Sequence, residues 1–434
     1  MISGMHNLQW LSLKIFTSEQ LWTKLFISVF FSLPSSLKTL MLGFGLIGNR
    51  HVLFKMNYEE DAAWDKLWDL QGSEEARQPL VRRKGPLEDL KSLTFPYYER
   101  PRLTTEDYMA LFEDCPGIES LVVPCSSSRL QSVVLGRFIG QHCSKLREVV
   151  VSMRDKDTLL SATILTSMTP HSLQTLKIYD TRLDPDIMSA IIDCHSHSLR
   201  KIILRGCPSL TSPLIQKILV QCSELEELTL HQYETRLPPL TLADATVEPW
   251  ATNKLRKLQL CVTVPDLFYL RQKKQLPYFK RFPIVDAVKK HPLVWTDAER
   301  GQLLLLERLY SQLGKQTNLE VLHLDAVPEA TSVKAWAGHG FRFDTFPLML
   351  SLGNPDAGQP GYLDLFKDLK RLKKLVGSFG MYCEDSLLTV GQKEVDWMVK
   401  HWVSLQEARF YPRTIAPREC FLNMQERLPG LKIQ

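Results

Sequence analysis

Leu173-Gln174-Thr175-Leu176-Lys177-Ile178, Leu199-Arg200-Lys201-Ile202-Ile203-Leu204, Leu225-Glu226-Glu227-Leu228-Thr229-Leu230 and Leu255-Arg256-Lys257-Leu258-Gln259-Leu260 are four statements of one phrase, L-x-x-L-x-L. The same phrase stands earlier at Leu90-Lys91-Ser92-Leu93-Thr94-Phe95, Ile118-Glu119-Ser120-Leu121-Val122-Val123 and Leu146-Arg147-Glu148-Val149-Val150-Val151. Successive first positions are 28, 28, 27, 26, 26 and 30 residues apart. An apolar phrase returning at such a period means one small structural unit, stacked again and again.

Alternate residues of a strand point to opposite faces. The second and third apolar positions of each phrase therefore point into a core, and the residue between them points outward. Between phrases the apolar spacing changes to that of a helix. Leu214, Ile215, Ile218 and Leu219 share one helix face, as do Ile187, Met188, Ile191 and Ile192 one repeat earlier. A single strand and helix of this size cannot bury their apolar faces alone, but a stack of them can. The expected fold is an α/β leucine-rich-repeat solenoid, with a curved parallel β-sheet on the concave face and helices on the convex face.

The array extends beyond its regular part. Leu8-Gln9-Trp10-Leu11-Ser12-Leu13 and Leu37-Lys38-Thr39-Leu40-Met41-Leu42 are strand phrases, and Leu21, Trp22, Leu25, Phe26, Val29 and Phe30 form a helix face between them. A solenoid needs a polar cap at each end. None precedes Leu8, so either an upstream segment is missing or the first strand is an exposed edge. The chain is expected to be one solenoid over 1–434. Residues 43–85 are an irregular repeat or loop insertion, 90–260 the regular array, 264–296 a basic proline-containing insertion, and 297–434 the C-terminal repeats. A helix is expected over 58–71, and the charges Arg82, Arg83 and Lys84 read as a solvated loop.

In the C-terminal part Thr296 and Glu299 form a capping-box pattern. The helix that follows carries Leu303, Leu306, Tyr310 and Leu313 on one face and stops at Gly314. Asn318-Leu319-Glu320-Val321-Leu322-His323-Leu324 resumes the phrase, Leu372-Lys373-Lys374-Leu375 is a weaker match, and Leu405-Gln406-Glu407-Ala408-Arg409-Phe410 follows. Val395, Met398, Val399 and Trp402 form an i, i+3, i+4, i+7 stripe. Leu428-Pro429-Gly430-Leu431-Lys432-Ile433 reads as a last short strand.

Composition narrows the function classes. The apolar fraction of 44% is that of a globular protein. A net charge of +5 over 434 residues implies no particular partner. The nine cysteines are odd in number and follow the repeat. Cys115, Cys143 and Cys222 each stand three residues before a phrase, where a buried thiol behaves as a small apolar group. No disulfide framework is expected, and the compartment is read as cytoplasm or nucleus. The most apolar stretch, residues 25–33, is far short of the roughly 20 residues a membrane span requires.

Three local patterns bear on chemistry. Gly43-Phe44-Gly45-Leu46-Ile47-Gly48 is a literal G-x-G-x-x-G after a strand, yet no helix opens at once and no acidic strand end follows at the distance a dinucleotide site needs. Cys194, His195 and His197 lie close together, but a tetrahedral metal site needs a second pair. The insertion at 264–296 interleaves Arg271, Lys273, Lys274, Lys280 and Arg281 with Phe268, Tyr269, Tyr278 and Phe279, which bears on nucleic-acid binding. Its charge is modest, and a mobile surface loop or a partner-contact loop is the preferred reading. No catalytic residue, cofactor, metal, membrane or nucleic-acid partner is expected.

Residues 199–211 carry Leu199, Ile202, Leu204, Cys207, Leu210 and Thr211. This pattern resembles the cysteine-containing leucine-rich repeat, L-x-x-L-x-L-x-x-C-x-x-[LI]-T, whose strand half also matches residues 173–180 and 225–230. The sub-type is typical of F-box/leucine-rich-repeat proteins and their ribonuclease-inhibitor-like relatives. Residues 255–260, Leu309-Tyr310-Ser311-Gln312-Leu313-Gly314, residues 319–324, Glu394-Val395-Asp396-Trp397-Met398 and His401-Trp402 resemble a fungal group of that class. The resemblance implies a role in substrate recognition for a cullin-based (SCF-type) ubiquitin ligase. There an F-box docks on a Skp-type adaptor and the repeats hold a protein substrate. No F-box is visible here, since a repeat strand begins by Leu8. The role therefore implies a missing or cryptic F-box, and the alternative is a stand-alone scaffold or inhibitor with no ubiquitin link.

Strand parity selects the residues that would meet a partner on the concave face: Lys177, Tyr179, Arg205, Thr229, His231, Gln259, His323 and Arg409. Aromatic and arginine side chains among them are the expected anchors.

Overall fold

The computed structural model describes residues 7–16, 27, 29–45, 83–95, 103–124, 129–152, 158–182, 184–231, 240–264, 294–328, 349–358, 360–377, 391–410 and 419–433. The expected helix at 58–71, the helix face at 21–26, the end of the glycine motif (46–48) and the basic insertion between 265 and 293 lie outside these residues.

The chain divides into two compact units, Met1–Leu173 and Gln174–Gln434. The first contains β1 (Trp10–Phe16), β2 (Thr39–Gly45), β3 (Ser92–Thr94), α1 (Thr105–Glu113), β4 (Ser120–Val122), α2 (Arg129–His142), β5 (Glu148–Ser152) and α3 (Leu159–Ser167). Its strands pair in chain order and all in parallel. The second contains β6 (Thr175–Tyr179), α4 (Pro185–His195), β7 (Lys201–Arg205), α5 (Ser212–Gln221), β8 (Glu227–His231), α6 (Leu242–Ala245) and β9 (Lys257–Val264). It continues with α7 (Asp297–Gly314), β10 (Val321–Pro328), β11 (Lys374–Gly377), α8 (Gln392–His401), β12 (Glu407–Ala408), α9 (Glu419–Arg427) and β13 (Lys432–Ile433). These strands also pair in parallel and in order. Each unit is thus an α/β repeat solenoid of the leucine-rich type.

The phrase explains the ladder. From β2 to β12 every strand starts at the third residue of its phrase, and the leucine or isoleucine at the first position is buried beneath it. That first residue closes a turn from the element before: Leu146 N–H donates to Cys143 O and Leu225 N–H to Cys222 O. The three-residue spacing from cysteine to phrase is this turn. The carbonyl at the second position then accepts two amides of the next strand. Arg200 O accepts from Glu226 and Glu227 at 2.8 and 3.0 Å, and Arg256 O from Glu320 and Val321 at the same distances. One forked acceptor per repeat fixes the register.

The capping expectations are met. Thr296 Oγ1 accepts from Glu299 N–H at 3.3 Å, and Glu299 Oε2 accepts from Thr296 N–H at 2.7 Å. The helix ends at Gly314, where the Leu365 carbonyl leaves no room for a Cβ. On α8, Val395 and Met398 are buried, whereas Val399 is half-buried. Trp402 lies past the helix as its C-cap, buried, with Nε1 donating to Phe366 O at 3.3 Å.

Two sequence readings need correction. Arg83, taken for a solvated loop charge, has a side chain only 9% exposed. It pairs with Asp114 and donates to the carbonyls of Leu33 at 2.8 Å and Gly85 at 2.5 Å. A guanidinium suits this place because it can serve several acceptors at once. The second correction concerns the outward strand position. Val122, Val150, Ile203 and Thr229 occupy it yet are all buried, because strands under 5 Å apart let short β-branched side chains cover one another. Trp10 on β1 does stand out, at 57% exposure. Among the described residues no helix is long and apolar enough to cross a membrane.

Candidate partner-binding face

On the second unit the register gathers the candidate residues into rows. The middle row runs Lys177, Ile203, Thr229, Gln259, His323, Val376 across β6 to β11. Arg409 continues it beyond β12, its amide donating to Leu375 O at 3.0 Å. The next row holds Tyr179, Arg205 and His231 at the strand ends. The side chain of His231 is outside the described set, so only its backbone is placed.

Lys177, Tyr179, Arg205, Gln259, His323 and Arg409 are half-buried, each with part of its surface open. Thr229 differs. It lies on the outward side between Ile203 and Gln259, but only 1% of its surface is exposed, and its hydroxyl turns to Glu227 Oε1 at 3.2 Å. It offers no area to a partner.

Tyr179 and Arg205 form the best-defined pair. They are in register on β6 and β7, and the guanidinium carbon sits 5.8 Å from the ring centroid. At that distance the ring face attracts the cation. The pair owes its placement to Asp180 and Gly206, which follow it. Both take left-handed backbone angles, φ 51° and 64°, and turn their chains off the sheet. His323 contacts Asp325 two residues on, Nε2 to Oδ2 3.2 Å.

Strand parity missed the charge ladder beside these rows. At the third phrase position Glu227 binds Lys201 at 2.5 Å and Lys257 at 2.7 Å. Burial pushes its carboxyl up, but hydrogen bonds and charges from the two lysines outweigh that and leave it below the usual carboxylate range. At the second position Glu320 binds Arg256 at 2.6 Å and Lys373 at 2.8 Å, and these bonds hold it low as well. The signal was available: the phrases aligned in columns read Lys, Glu, Lys and Arg, Glu, Arg, Glu, Lys. These charges are paired with one another within the ladder.

Cys194 is half-buried, His195 fully buried and His197 exposed, so the three do not converge. Among the described residues no group of three or more histidine, cysteine or acidic side chains is placed to hold a metal.

No family model matches the chain. No curated protein matches it either. Among solved structures it is similar to a chain in the crystal structure of the Rad7 and Elc1 complex in yeast, at 11% identity and a TM-score of 0.38, covering 98% of this chain and 80% of that one. That score lies below what fixes a shared fold, so the fold here rests on the strands and their register.

Proposed function

We propose that this protein is a recognition module that binds a partner protein on the outward strand face of its second unit and performs no chemistry there. The observation that carries the reading is the Tyr179–Arg205 pair. It is held in register on adjacent strands and is partly exposed. Tyrosine and arginine are the residue types most often found as interface anchors. The resemblance of residues 199–211 to the cysteine-containing repeat extends the proposal. The partner is then a substrate presented to a cullin-based ubiquitin ligase, through a Skp-type adaptor. The seven described cysteines are free thiols, which supports a cytoplasmic or nuclear setting.

The test is affinity purification of the tagged chain from native lysate beside a Tyr179→Ala/Arg205→Ala variant, read by quantitative mass spectrometry. The expected result is a partner recovered by the wild type and lost from the variant, with Skp-type adaptor and cullin retained by both. Identical partners for the two chains would remove the face from the proposal. A face-dependent partner without adaptor or cullin would leave a stand-alone scaffold or inhibitor.

A further inference from the structure

Arg205 carries an unsatisfied donor on the face. Its Nε is buried and, among the described residues, meets no acceptor. Among the described residues its side chain interacts with the Tyr179 ring. The neighbouring lysines differ sharply: Lys201 and Lys257 are both consumed by Glu227. Among nearby acids, Asp180 directs its carboxylate at Gly206 and makes no ion pair with the guanidinium. A guanidinium beside a ring can still offer the two terminal nitrogens of its fork to a carboxylate as parallel hydrogen bonds. Arg205 as a whole is half-buried, so the open part of its side chain, not the buried Nε, is what a partner would meet.

We propose that Arg205, braced on Tyr179, anchors a glutamate or aspartate side chain of an acidic segment in the partner protein. This rests on the reading of the face as the partner surface and names the chemistry that surface recognises.

The full chain is titrated by fluorescence anisotropy against a labelled peptide alternating Glu and Gly, against its Gln–Gly counterpart, and against a phosphoserine–Gly peptide. The Glu peptide is expected to bind about tenfold or more tightly than the Gln peptide, with an affinity that falls as salt rises. Arg205→Gln is expected to weaken it about tenfold, and Tyr179→Leu about threefold through loss of the ring. Lys254→Gln, on the exposed pair with Glu224, is expected to stay within about twofold. Circular dichroism melts confirm that each variant is folded. Equal binding of Glu and Gln peptides, no binding of the Glu peptide, or no effect of Arg205→Gln overturns the proposal. A phosphoserine peptide about tenfold tighter than the Glu peptide overturns it in favour of a phosphate. A partner that Arg205→Gln still captures, but that Tyr179→Ala/Arg205→Ala and His323→Ala release, sinks the acidic anchor and leaves the partner face standing.

Discussion

Arg83 and Asp114 form an ion pair across 31 residues of sequence, both side chains largely buried, and the same guanidinium reaches back to the carbonyl of Leu33. One arginine thus joins the segment after β1, the loop before β3 and the end of α1. Removing one partner of a buried pair strands the other charge. Arg83→Ala is expected to lower the unfolding free energy of the first unit by about 3 kcal/mol or more. Arg83→Met with Asp114→Leu should recover part of that loss. Urea unfolding followed by circular dichroism gives both values, and an Arg83→Ala chain as stable as the wild type would refute the pairing.

The Glu227 carboxyl titrates below its ordinary value because Lys201 and Lys257 bind its ionised form more strongly than burial opposes it. A depressed carboxylate contributes stability that is fully present above the unfolded value of 4.5 and is lost as pH falls through the lower folded value. Glu227→Gln is therefore expected to melt earlier than the wild type at pH 7, with the difference shrinking as the pH is taken below 4.5. A gap that stays constant with pH would count against the linkage.

Burial alone pushes the thiols of Cys143 and Cys222 up to about 12. It pushes Cys115 up further, against the lowering pull of Arg83. Since the thiolate is the reactive form, these three should resist iodoacetamide in the folded chain at pH 8 and label promptly in urea. Peptide mapping distinguishes them, and rapid native labelling of Cys222 would contradict its burial.

Two glycines should respond in opposite directions to alanine. Gly377 sits at φ 125° with its α-carbon against the Leu324 carbonyl of the neighbouring strand, so Gly377→Ala collides with backbone. Gly301 lies inside α7 with open space around it. Gly301→Ala is expected to stabilise by about 0.5–1 kcal/mol, whereas Gly377→Ala should destabilise by more than that. Thermal melts of the two variants decide it.

Arg205→Met removes a buried donor that has no acceptor among the described residues while keeping a long side chain beside Tyr179. An unsatisfied buried group of this kind costs about 1–3 kcal/mol. The variant is expected to melt at or above the wild-type temperature. A lower melting temperature would mean that the arginine serves the fold.

Much of the fold was legible because the phrase encodes its own geometry. The leucine at each first position, the alternation after it and the cysteine three residues before it all follow from strand parity and one turn. The Thr296 and Glu299 cap and the stop at Gly314 were legible for the same reason, since capping is local. Distance in sequence hid the rest. Nothing near Arg83 in the chain announces Asp114, and a lone basic triplet reads as solvent-facing. Parity also says which side Thr229 faces but not how tall its neighbours are, so Thr229 reads as accessible from sequence when it is covered. The site was half legible: Tyr179 and Arg205 could be chosen singly, but their stacking needed the register of β6 on β7.

The forked carbonyl at the second phrase position has a consequence for how this architecture tolerates change. Glu320 follows Arg256 by 64 residues and Lys373 follows Glu320 by 53, yet the amide-to-carbonyl distances match those where phrases lie 26 apart. The ladder registers only which phrase comes next and is indifferent to how much chain intervenes. The long interval before Glu320 is therefore a natural port. A tag, a reporter or a second binding loop could be spliced there while the strands keep their alignment.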